Sequence, residues 1–236
     1  MSGWVARWRS REAGARRERE AGAAGSVDAR APRPEHRRPA PRRAPVVTRI
    51  VAGFAGSLVL RVPKTGTRPT SDRVREALFS GLEARDALDG ARVLDLYAGS
   101  GALGLEAASR GAREVVLVER ATPAAAVCRS NARILEGAAP RGADLAIRVA
   151  AQSVHAFLLG DRGTYDVAFL DPPYEVGDAE LAEELTALAP RLADDAVVMV
   201  ERSARSAEPA WPAGIALDRR RAYGDTVVWW AVADRG

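Results

Sequence analysis

Residues 92–106 read RVLDLYAGSGALGLE, and this stretch decides the fold. The run 92–97 is short and apolar, as in a buried strand, and Gly99, Gly101 and Gly104 follow it directly. The next residues, 102–109, have the composition of a helix. A glycine-rich turn between a strand and a helix is where open α/β sheets bind their ligands. The stretch therefore predicts a strand, a ligand-binding turn and a helix, in that order.

The rest of the chain repeats the alternation of strand and helix. Apolar runs at 114–118, 146–150, 166–170 and 196–200 predict strands, and the patterns at 123–135, 154–159 and 179–188 predict helices. Near-continuous apolar strands belong in a parallel sheet that helices cover on both faces. The runs 215–223 and 226–232 flank Gly224-Asp225 and predict an antiparallel hairpin. We expect an α/β, doubly wound, Rossmann-like sheet closed by this hairpin, as is typical of class I methyltransferases.

Residues 1–47 differ in composition from the remainder of the 236-residue chain. They contain twelve Arg and five Asp or Glu, a net charge of +7, whereas residues 48–236 carry a net charge of −3. The segment has too few large apolar residues to offset the entropy of ordering, so it predicts a disordered basic tail. Such a tail suits contact with a polyanion such as nucleic acid, although an Arg-rich coding bias would produce the same composition.

A small extension is predicted between the tail and the sheet. The runs 48–51 and 57–62 surround Gly53 and Gly56, which is the pattern of a hairpin. Residues 71–82 have apolar side chains at helical spacing behind Thr70 and Ser71 as caps. The expected organisation is a tail at 1–47, a hairpin and helix at 48–82, and the methyltransferase-like sheet domain at 83–236.

Composition excludes several classes of site. Cys128 is the one cysteine and His36 and His155 are the two histidines, so neither an internal disulfide nor a metal centre is expected. No run approaches the roughly 20 apolar residues of a membrane helix. The N-terminus lacks the apolar segment of a secretory signal. We expect a cytoplasmic protein with no metal and no membrane partner.

The glycine-rich turn has the features of a nucleoside-binding site. Gly99 and Gly101 allow a tight turn and a close approach of the ligand, and the next helix offers N–H groups to a carboxylate. Glu119 ends the following strand, where its carboxylate can accept hydrogen bonds from both ribose hydroxyls. The glycines also satisfy a dinucleotide fingerprint, but the Asp95 carboxylate would repel a pyrophosphate and suits an ammonium group. The expected ligand is S-adenosylmethionine, and its predicted contacts are Asp95, Tyr97, Gly99, Ser100, Gly101, Gly104 and Glu119.

A second polar motif, Asp171-Pro172-Pro173-Tyr174, follows the strand predicted at 166–170. An exocyclic base amine is a poor nucleophile because its lone pair is delocalised into the ring. Asp171 and the Pro172 carbonyl can accept its two N–H bonds, and the prolines hold these acceptors in place. Tyr174 can stack on the base. The motif therefore predicts direct methyl transfer to an exocyclic amine.

With these motifs, the sequence from about 48 to 232 resembles the RsmD family of bacterial 16S ribosomal RNA guanine-N2 methyltransferases. The resemblance rests on TRIVAG at 48–53, TRPTSDRVREALF at 67–79, DLYAGSGALGLEA at 95–107 with SRG at 109–111, and the Asp-Pro-Pro-Tyr motif. The block at 67–79 distinguishes this family and its close relatives from other amino-methyltransferases, because the last two motifs occur across many of those enzymes.

This resemblance implies S-adenosylmethionine as the donor and 16S ribosomal RNA, within the assembled small subunit, as the acceptor. The residues expected to contact RNA are Arg49, Arg68, Thr70, Arg73 and Arg75. One position departs from the family pattern: after the strand at 146–150, where an acidic or amide residue commonly meets the adenine, the chain has Ala151-Gln152-Ser153. Ser153 is the candidate contact there.

Three other functions stay open from the sequence. Amino-methyltransferases that act on DNA adenine, transfer RNA or a protein glutamine also use an (Asp/Asn)-Pro-Pro-Tyr loop. A nicotinamide oxidoreductase would share the glycine fingerprint. A non-catalytic RNA-binding assembly factor would share the basic residues.

Overall fold

The computed structural model of the protein describes residues 47–63 and 72–234. The tail predicted at 1–47 lies outside these residues except for Val47, and so do the expected caps Thr70 and Ser71. The α-helices of the described part are α1 (Asp72–Glu83), α2 (Ala102–Ser109), α3 (Thr122–Ala138), α4 (Val154–Gly160) and α5 (Asp178–Leu188). Its strands are β1 (Thr48–Arg49), β2 (Val59–Leu60), β3 (Arg92–Leu96), β4 (Glu114–Val118), β5 (Ala146–Ala150), β6 (Tyr165–Leu170), β7 (Leu192–Ser203), β8 (Ile215–Tyr223) and β9 (Thr226–Ala233).

Seven strands of the described residues form one sheet with the order β5-β4-β3-β6-β7-β9-β8. The pairs among β3 to β7 are all parallel, whereas β9 is antiparallel to both β7 and β8. The chain moves outward from β3 to β5 and then returns to place β6 on the other side of β3. This reversal creates a crevice at the carboxyl ends of β3 and β6, where open sheets bind ligands. The predicted doubly wound sheet with its closing hairpin is confirmed.

Apolar side chains of the strands alternate between two cores, one on each face of the sheet. Val93, Val167 and Met199 belong to the core that α1, α2 and α3 cover. Leu94 and Ala168 belong to the opposite core, which α4 and α5 cover. The near-continuous apolar runs of the sequence follow from this burial on both faces.

The predicted N-terminal hairpin is present, with shorter strands than expected. β1 and β2 pair antiparallel, with Thr48 opposite Leu60. Ile50 and Leu60 are fully buried in the same core as Phe79 of α1 and Phe169 of β6. The rings of Phe79 and Phe169 contact each other, with centroids 5.7 Å apart. The hairpin and α1 therefore share a core with the sheet.

β3 and β7 differ from their predicted bounds for identifiable reasons. β3 ends at Leu96 because Tyr97 adopts a left-handed backbone with φ of 67°, which no strand continues through. β7 extends well beyond 196–200, since Glu201 and the two residues after it pair with the start of β9. A short 3-10 helix at Ala189–Arg191, which the sequence analysis does not predict, leads into β7.

Candidate active site

The register of three neighbouring strands brings the two predicted motifs together. Leu96 of β3 pairs with Val118 of β4 on one side and with Leu170 of β6 on the other. The residues that follow these three are Tyr97, Glu119 and Asp171, so the chain leaves all three strands at the same level. The glycine turn and the Asp-Pro-Pro-Tyr loop therefore line one crevice, as the sequence predicts.

Asp95 lies beneath the glycine turn and is only 1% exposed. Its Oδ2 accepts the Gly104 N–H at 2.9 Å and so satisfies one amide of the first turn of α2. Burial raises the pKa of Asp95 to about 7; the Gly104 hydrogen bond opposes this shift, and the charges of Asp171 and Glu119 add to it. Asp95 thus shapes the turn. Because its pKa is near neutrality, a nearby cation would favour its ionised form.

Glycine is required at the turn for two separate reasons. Gly99 and Gly101 have φ of 57° and 80°, in the left-handed region that other residues rarely adopt. At Gly104 the limit is space, because a Cβ would lie 2.4 Å from the Leu117 side chain and 2.9 Å from that of Val115. α2 can therefore pack closely against β4, and the turn before it presents its backbone to a ligand.

Glu119 is half-buried and ties the glycine turn to the start of α3. Its Oε2 accepts the Gly99 N–H at 3.0 Å and its Oε1 accepts the Ala121 N–H at 2.7 Å. A carboxylate offers about four lone-pair positions, so these two bonds leave acceptor capacity for two hydroxyl groups. The geometry is compatible with the predicted ribose contact.

The α3 helix supports the turn through two residues that were not predicted to belong to the site. Asn131 is fully buried, and its Nδ2 donates to the Ser100 carbonyl at 2.8 Å and to the Arg61 carbonyl at 2.9 Å. Its Oδ1 accepts the Arg61 N–H at 2.9 Å. The buried Cys128 thiol contacts the Gly99 carbonyl at 3.1 Å, and burial raises its pKa. A polar Asn on the apolar stripe of α3, one turn after Cys128, is the signal that could have identified this support.

The N-terminal extension is also attached to α2 by buried polar side chains. Glu106 is fully buried and accepts the backbone N–H groups of Val51 at 2.6 Å and Ala52 at 3.0 Å. Ser109 Oγ donates to the Ala52 carbonyl at 2.6 Å and accepts the Ala55 N–H at 3.0 Å. Together with Asn131, these bonds hold the extension beside the glycine turn.

Tyr97 points its hydroxyl at α5. The hydroxyl lies 2.6 Å from both carboxylate oxygens of the buried Glu184. Burial is the main cause of the raised pKa of Tyr97, and it also raises the pKa of Glu184. The phenol is therefore engaged within the protein, and the predicted donor contact of Tyr97 stays a prediction for its ring and backbone.

In the Asp-Pro-Pro-Tyr loop, Asp171 is half-buried and Pro172 is buried, whereas Tyr174 is 82% exposed. Arg202 of β7 anchors the segment that follows. Its Nη1 donates to the Val176 carbonyl at 2.9 Å, and its Nη2 donates to Asp178 at 3.0 Å. No sequence signal identifies Arg202, because its partners come from another element. Arg202 therefore fixes the segment after the loop, while the Tyr174 ring is exposed and accessible to a binding partner.

Ser153 follows β5 at the same edge of the sheet and is exposed. Its Oγ accepts the Ala156 N–H at 3.2 Å and caps α4. The predicted adenine contact would therefore use a hydroxyl that is also a helix cap, and it stays a prediction.

The residues predicted to contact RNA divide into three groups. Arg49 and Arg73 are exposed, and Arg49 lies 3.4 Å from Asp72. Arg68 and Thr70 lie outside the described residues. Arg75 is a correction to the prediction: its side chain is 0% exposed, and its Nη2 donates to the Arg49 carbonyl at 2.7 Å and to Asp72 at 2.6 Å. Because it is buried, it supports the extension and does not reach an RNA surface.

No three His, Cys, Asp or Glu side chains among residues 47–63 and 72–234 are grouped to hold a metal ion. None of the helices in the same residues is long and apolar enough to cross a membrane.

Known proteins resemble this chain in both sequence and structure. The family described as Conserved hypothetical protein 95 matches residues 48–232. Ribosomal RNA small subunit methyltransferase D of Escherichia coli K12 is 34% identical over 177 residues, which cover 75% of this chain and 85% of that protein. The solved structure of yhhF from Escherichia coli has a TM-score of 0.69 and 31% identity, covering 81% of this chain and all of that one.

A more distant structure shows the fold alone. Magnesium protoporphyrin IX methyltransferase (ChlM) from Synechocystis PCC 6803, solved with bound SAM, has a TM-score of 0.53 and 16% identity, covering 72% of this chain and 87% of that one. The family match spans the hairpin, the glycine turn and the Asp-Pro-Pro-Tyr loop, and the Escherichia coli relatives share the sequence and the sheet. The chain therefore belongs to the RsmD family, also described as Conserved hypothetical protein 95, and is a methyltransferase.

Proposed function

We propose that this enzyme transfers a methyl group from S-adenosylmethionine to the exocyclic N2 of a guanine in 16S ribosomal RNA. The observation that carries the proposal is the register of β4, β3 and β6, which places Glu119 and Asp171 on either side of Tyr97 at one edge of the sheet. A donor held by the first carboxylate would lie beside an amine held by the second. The printed name of the Escherichia coli relative, which describes a small-subunit ribosomal RNA methyltransferase, supports the choice of acceptor.

The residues of the turn fit S-adenosylmethionine. Glu119 retains lone pairs for the ribose hydroxyls, and the backbone of Gly99 and Gly101 carries no side chain that would block the ligand. Asp95 lies below the turn, where its charge favours the ammonium group of the methionine moiety. When bound, the sulfonium supplies an activated methyl group. The SAM-bound ChlM structure supports this use of the fold.

The chain's own contribution to the reaction is positioning and hydrogen bonding at the acceptor. Asp171 and the Pro172 carbonyl accept hydrogen bonds from the two N–H groups of the amine, which localises the nitrogen lone pair as the nitrogen becomes tetrahedral. Once methylated, the nitrogen is positively charged, and it becomes neutral by releasing one proton towards the Asp171 carboxylate. These acceptors are preorganised, because the prolines restrict the loop and Arg202 anchors the segment after it. Tyr174 stacks on the extruded guanine. Alignment of donor and acceptor then supplies much of the rate enhancement.

The exposed Arg49 and Arg73 are proposed to contact the RNA backbone, as are Arg68 and Thr70 of the discriminating block. Basic side chains bind phosphates whatever the base sequence, so they would orient the RNA and leave selection of the base to the crevice. A ribosomal substrate, within the assembled small subunit, would place the enzyme in the cytoplasm.

The test is methyl transfer to small ribosomal subunits. Purified protein and labelled S-adenosylmethionine are incubated with subunits from a bacterial strain that lacks its own homologous enzyme, and the RNA is digested for nucleoside mass spectrometry. We expect N2-methylguanosine from the wild type and none from Asp171→Ala. Methyl label on an adenosine amine, on transfer RNA or on protein would reassign the acceptor, and no transfer to any of them would contradict the proposal. Protein-free 16S RNA assayed in parallel identifies the form of the substrate.

A further inference from the structure

The outer strand of the C-terminal hairpin carries a run of arginines that the proposed function does not use. β8 lies at the edge of the sheet and contains Arg219, Arg220 and Arg221. Arg220 and Arg221 are exposed. Within the described residues, neither of them lies within 4.0 Å of an acidic side chain, whereas the nearby Asp218 is paired with Arg85. Two exposed positive charges are thus left uncompensated by the part of the protein that the structure describes.

The strand register places these two arginines at the level of the carboxyl ends of the parallel strands, where Asp171 lies. Leu170 of β6 pairs with Val200 of β7, Val200 pairs with Trp229 of β9, and Trp229 pairs with Arg220 of β8. Arg220 therefore lies in the row of Leu170, the residue before Asp171. Arg221 lies one row further along, at the level of Asp171. Neighbouring strands are about 4.8 Å apart, so three steps put the arginine backbone about 14 Å from the catalytic loop.

Aromatic side chains lie beside Arg219 and Arg220. The Arg220 guanidinium lies 5.3 Å from the centre of the Trp229 ring, and that of Arg219 lies 4.3 Å from the centre of the Trp230 ring. Both tryptophans are buried. A guanidinium beside an aromatic ring still has N–H groups that can donate to phosphate oxygens. Arg220 packs against a buried ring and remains exposed, so its guanidinium is accessible to a phosphate.

We propose that Arg220 and Arg221 bind backbone phosphates of the substrate RNA next to the nucleotide in the crevice. The inference rests on the proposed function, because it takes the acceptor to be RNA. It identifies β8 as part of the RNA-binding surface, on the opposite side of Asp171 from the cofactor-binding strands β3 and β4. An RNA segment centred on the crevice would extend along the carboxyl edge of the sheet to the closing hairpin.

Charged residues on an edge strand have another known use, since they prevent pairing with the edge of another molecule. That use requires charge on β8 but no contact with RNA. The two explanations differ in the salt dependence of RNA binding. Each phosphate contact adds about −0.7, for single strands, to about −0.9, for duplex, to the slope of log affinity against log salt concentration.

The experiment compares RNA affinity at several salt concentrations for the wild type and Arg220→Gln/Arg221→Gln. The probe is a 16S RNA fragment that the wild type methylates. We expect the double variant to lose about 1.4 to 1.8 from the magnitude of the slope, while its donor affinity stays unchanged. The matched control is Arg141→Gln/Arg162→Gln, which should leave the slope unchanged. These two exposed arginines precede β5 and β6 and so lie at the amino ends of the parallel strands, away from the crevice. Arg220→Lys/Arg221→Lys keeps the charges and should retain most of the wild-type salt dependence.

The outcomes separate this inference from the proposed function. A wild-type enzyme that methylates the RNA, combined with a Gln variant whose slope equals that of the wild type, would overturn the β8 surface and leave the proposed function intact. A Gln variant that self-associates with an unaltered slope would assign the arginines to edge protection and also overturn it. Failure of the wild type to methylate any RNA is the separate result that contradicts the proposed function.

Discussion

Asn131 on α3 donates to the Ser100 carbonyl at 2.8 Å and thereby connects the N-terminal extension to the glycine turn, because the same side chain pairs with the backbone of Arg61. The side chain is fully buried, and its removal would leave the carbonyls of Ser100 and Arg61 without this hydrogen-bond donor. The proposed S-adenosylmethionine site would therefore depend on a residue that need not touch the ligand itself.

Asn131→Ala should destabilise the protein and weaken donor binding. Leaving a buried acceptor without its partner costs about 1–3 kcal/mol, and the Ser100 carbonyl would lose its side-chain donor. Urea denaturation should show this loss, and calorimetry should show a lower affinity for S-adenosylmethionine. Arg133→Ala on the exposed side of the same helix is the control and should change stability by less than about 0.5 kcal/mol. Equal stability of the two variants would contradict the supporting role of Asn131.

Glu119→Ala should reduce donor affinity by a factor of ten or more. A hydrogen bond to a charged group contributes about 1.5–3 kcal/mol, and the carboxylate is assigned to two ribose hydroxyls. The variant also loses the bonds to the Gly99 and Ala121 amides, so thermal unfolding should be measured alongside calorimetric binding. Glu119→Gln keeps one acceptor oxygen and should lose less affinity. Wild-type affinity in a folded Ala variant would remove Glu119 from the donor site.

Donor affinity should rise with pH as Asp95 ionises. Its folded pKa of about 7 is above the ordinary value of 3.8, so the carboxyl is partly protonated near neutrality. The ionised form attracts the donor's ammonium, and calorimetry from about pH 6 to pH 7.5 should show an increase of several-fold. That range ends below the α-amino pKa of about 7.7–8.0, so the ligand stays largely protonated. Asp95→Asn keeps an acceptor for the Gly104 N–H and should flatten the profile.

The same pKa shift has a consequence for stability. Because folding raises the pKa of Asp95, its contribution to the free energy of unfolding is fully present below about pH 4 and is lost as the pH rises through about 7. Asp95→Asn removes this contribution. The wild type should therefore lose stability relative to the variant as the pH increases from about 4 to 7. A difference that does not vary with pH would place the folded pKa near its ordinary value.

Asp171→Ala should abolish methyl transfer while donor affinity remains close to that of the wild type. The carboxylate is assigned to the acceptor amine, so its loss should appear in the chemical step. Removing this charge also removes one of the causes that raise the pKa of Asp95, so any small change in donor affinity near neutral pH should be an increase. Single-turnover transfer to undermethylated subunits is the measurement. Glu175→Ala, an exposed acid beside the loop, is the control; near wild-type rates in Asp171→Ala would make the loop structural.

Tyr174→Ala should weaken capture of the RNA substrate, whereas Tyr174→Phe should be largely tolerated. The side chain is 82% exposed, so its removal leaves no cavity in the protein core. Base–aromatic stacking contributes about 1–3 kcal/mol and needs the ring rather than the hydroxyl. KM for the RNA should rise in the Ala variant with thermal stability unchanged. If the Phe variant were as impaired as the Ala variant, the hydroxyl and not stacking would be the functional group.

The sequence by itself was sufficient for the sheet and for the two motifs. The bounds predicted for α2, β4 and β5 coincide with those observed. β4 is buried on both faces from Val115 to Val118, so its sequence is an apolar run with clear ends. The crevice followed from the same pattern, since parallel strands bring their carboxyl ends to one edge. The sequence also identified Gly104 as part of the glycine motif, although the side chains that leave no room for a Cβ there belong to β4.

The tertiary structure decided which polar residues support the site and which face solvent. Arg75 was expected at an RNA surface and is buried against Asp72 and the Arg49 carbonyl. Asn131 bonds the backbone of Arg61, 70 residues away, and Tyr97 bonds Glu184, 87 residues away. Helical or strand periodicity identifies the side of an element that is buried, but the partner of a buried polar group belongs to another element. Because the energy of such a group depends on that partner, its role is determined only when the chain is folded.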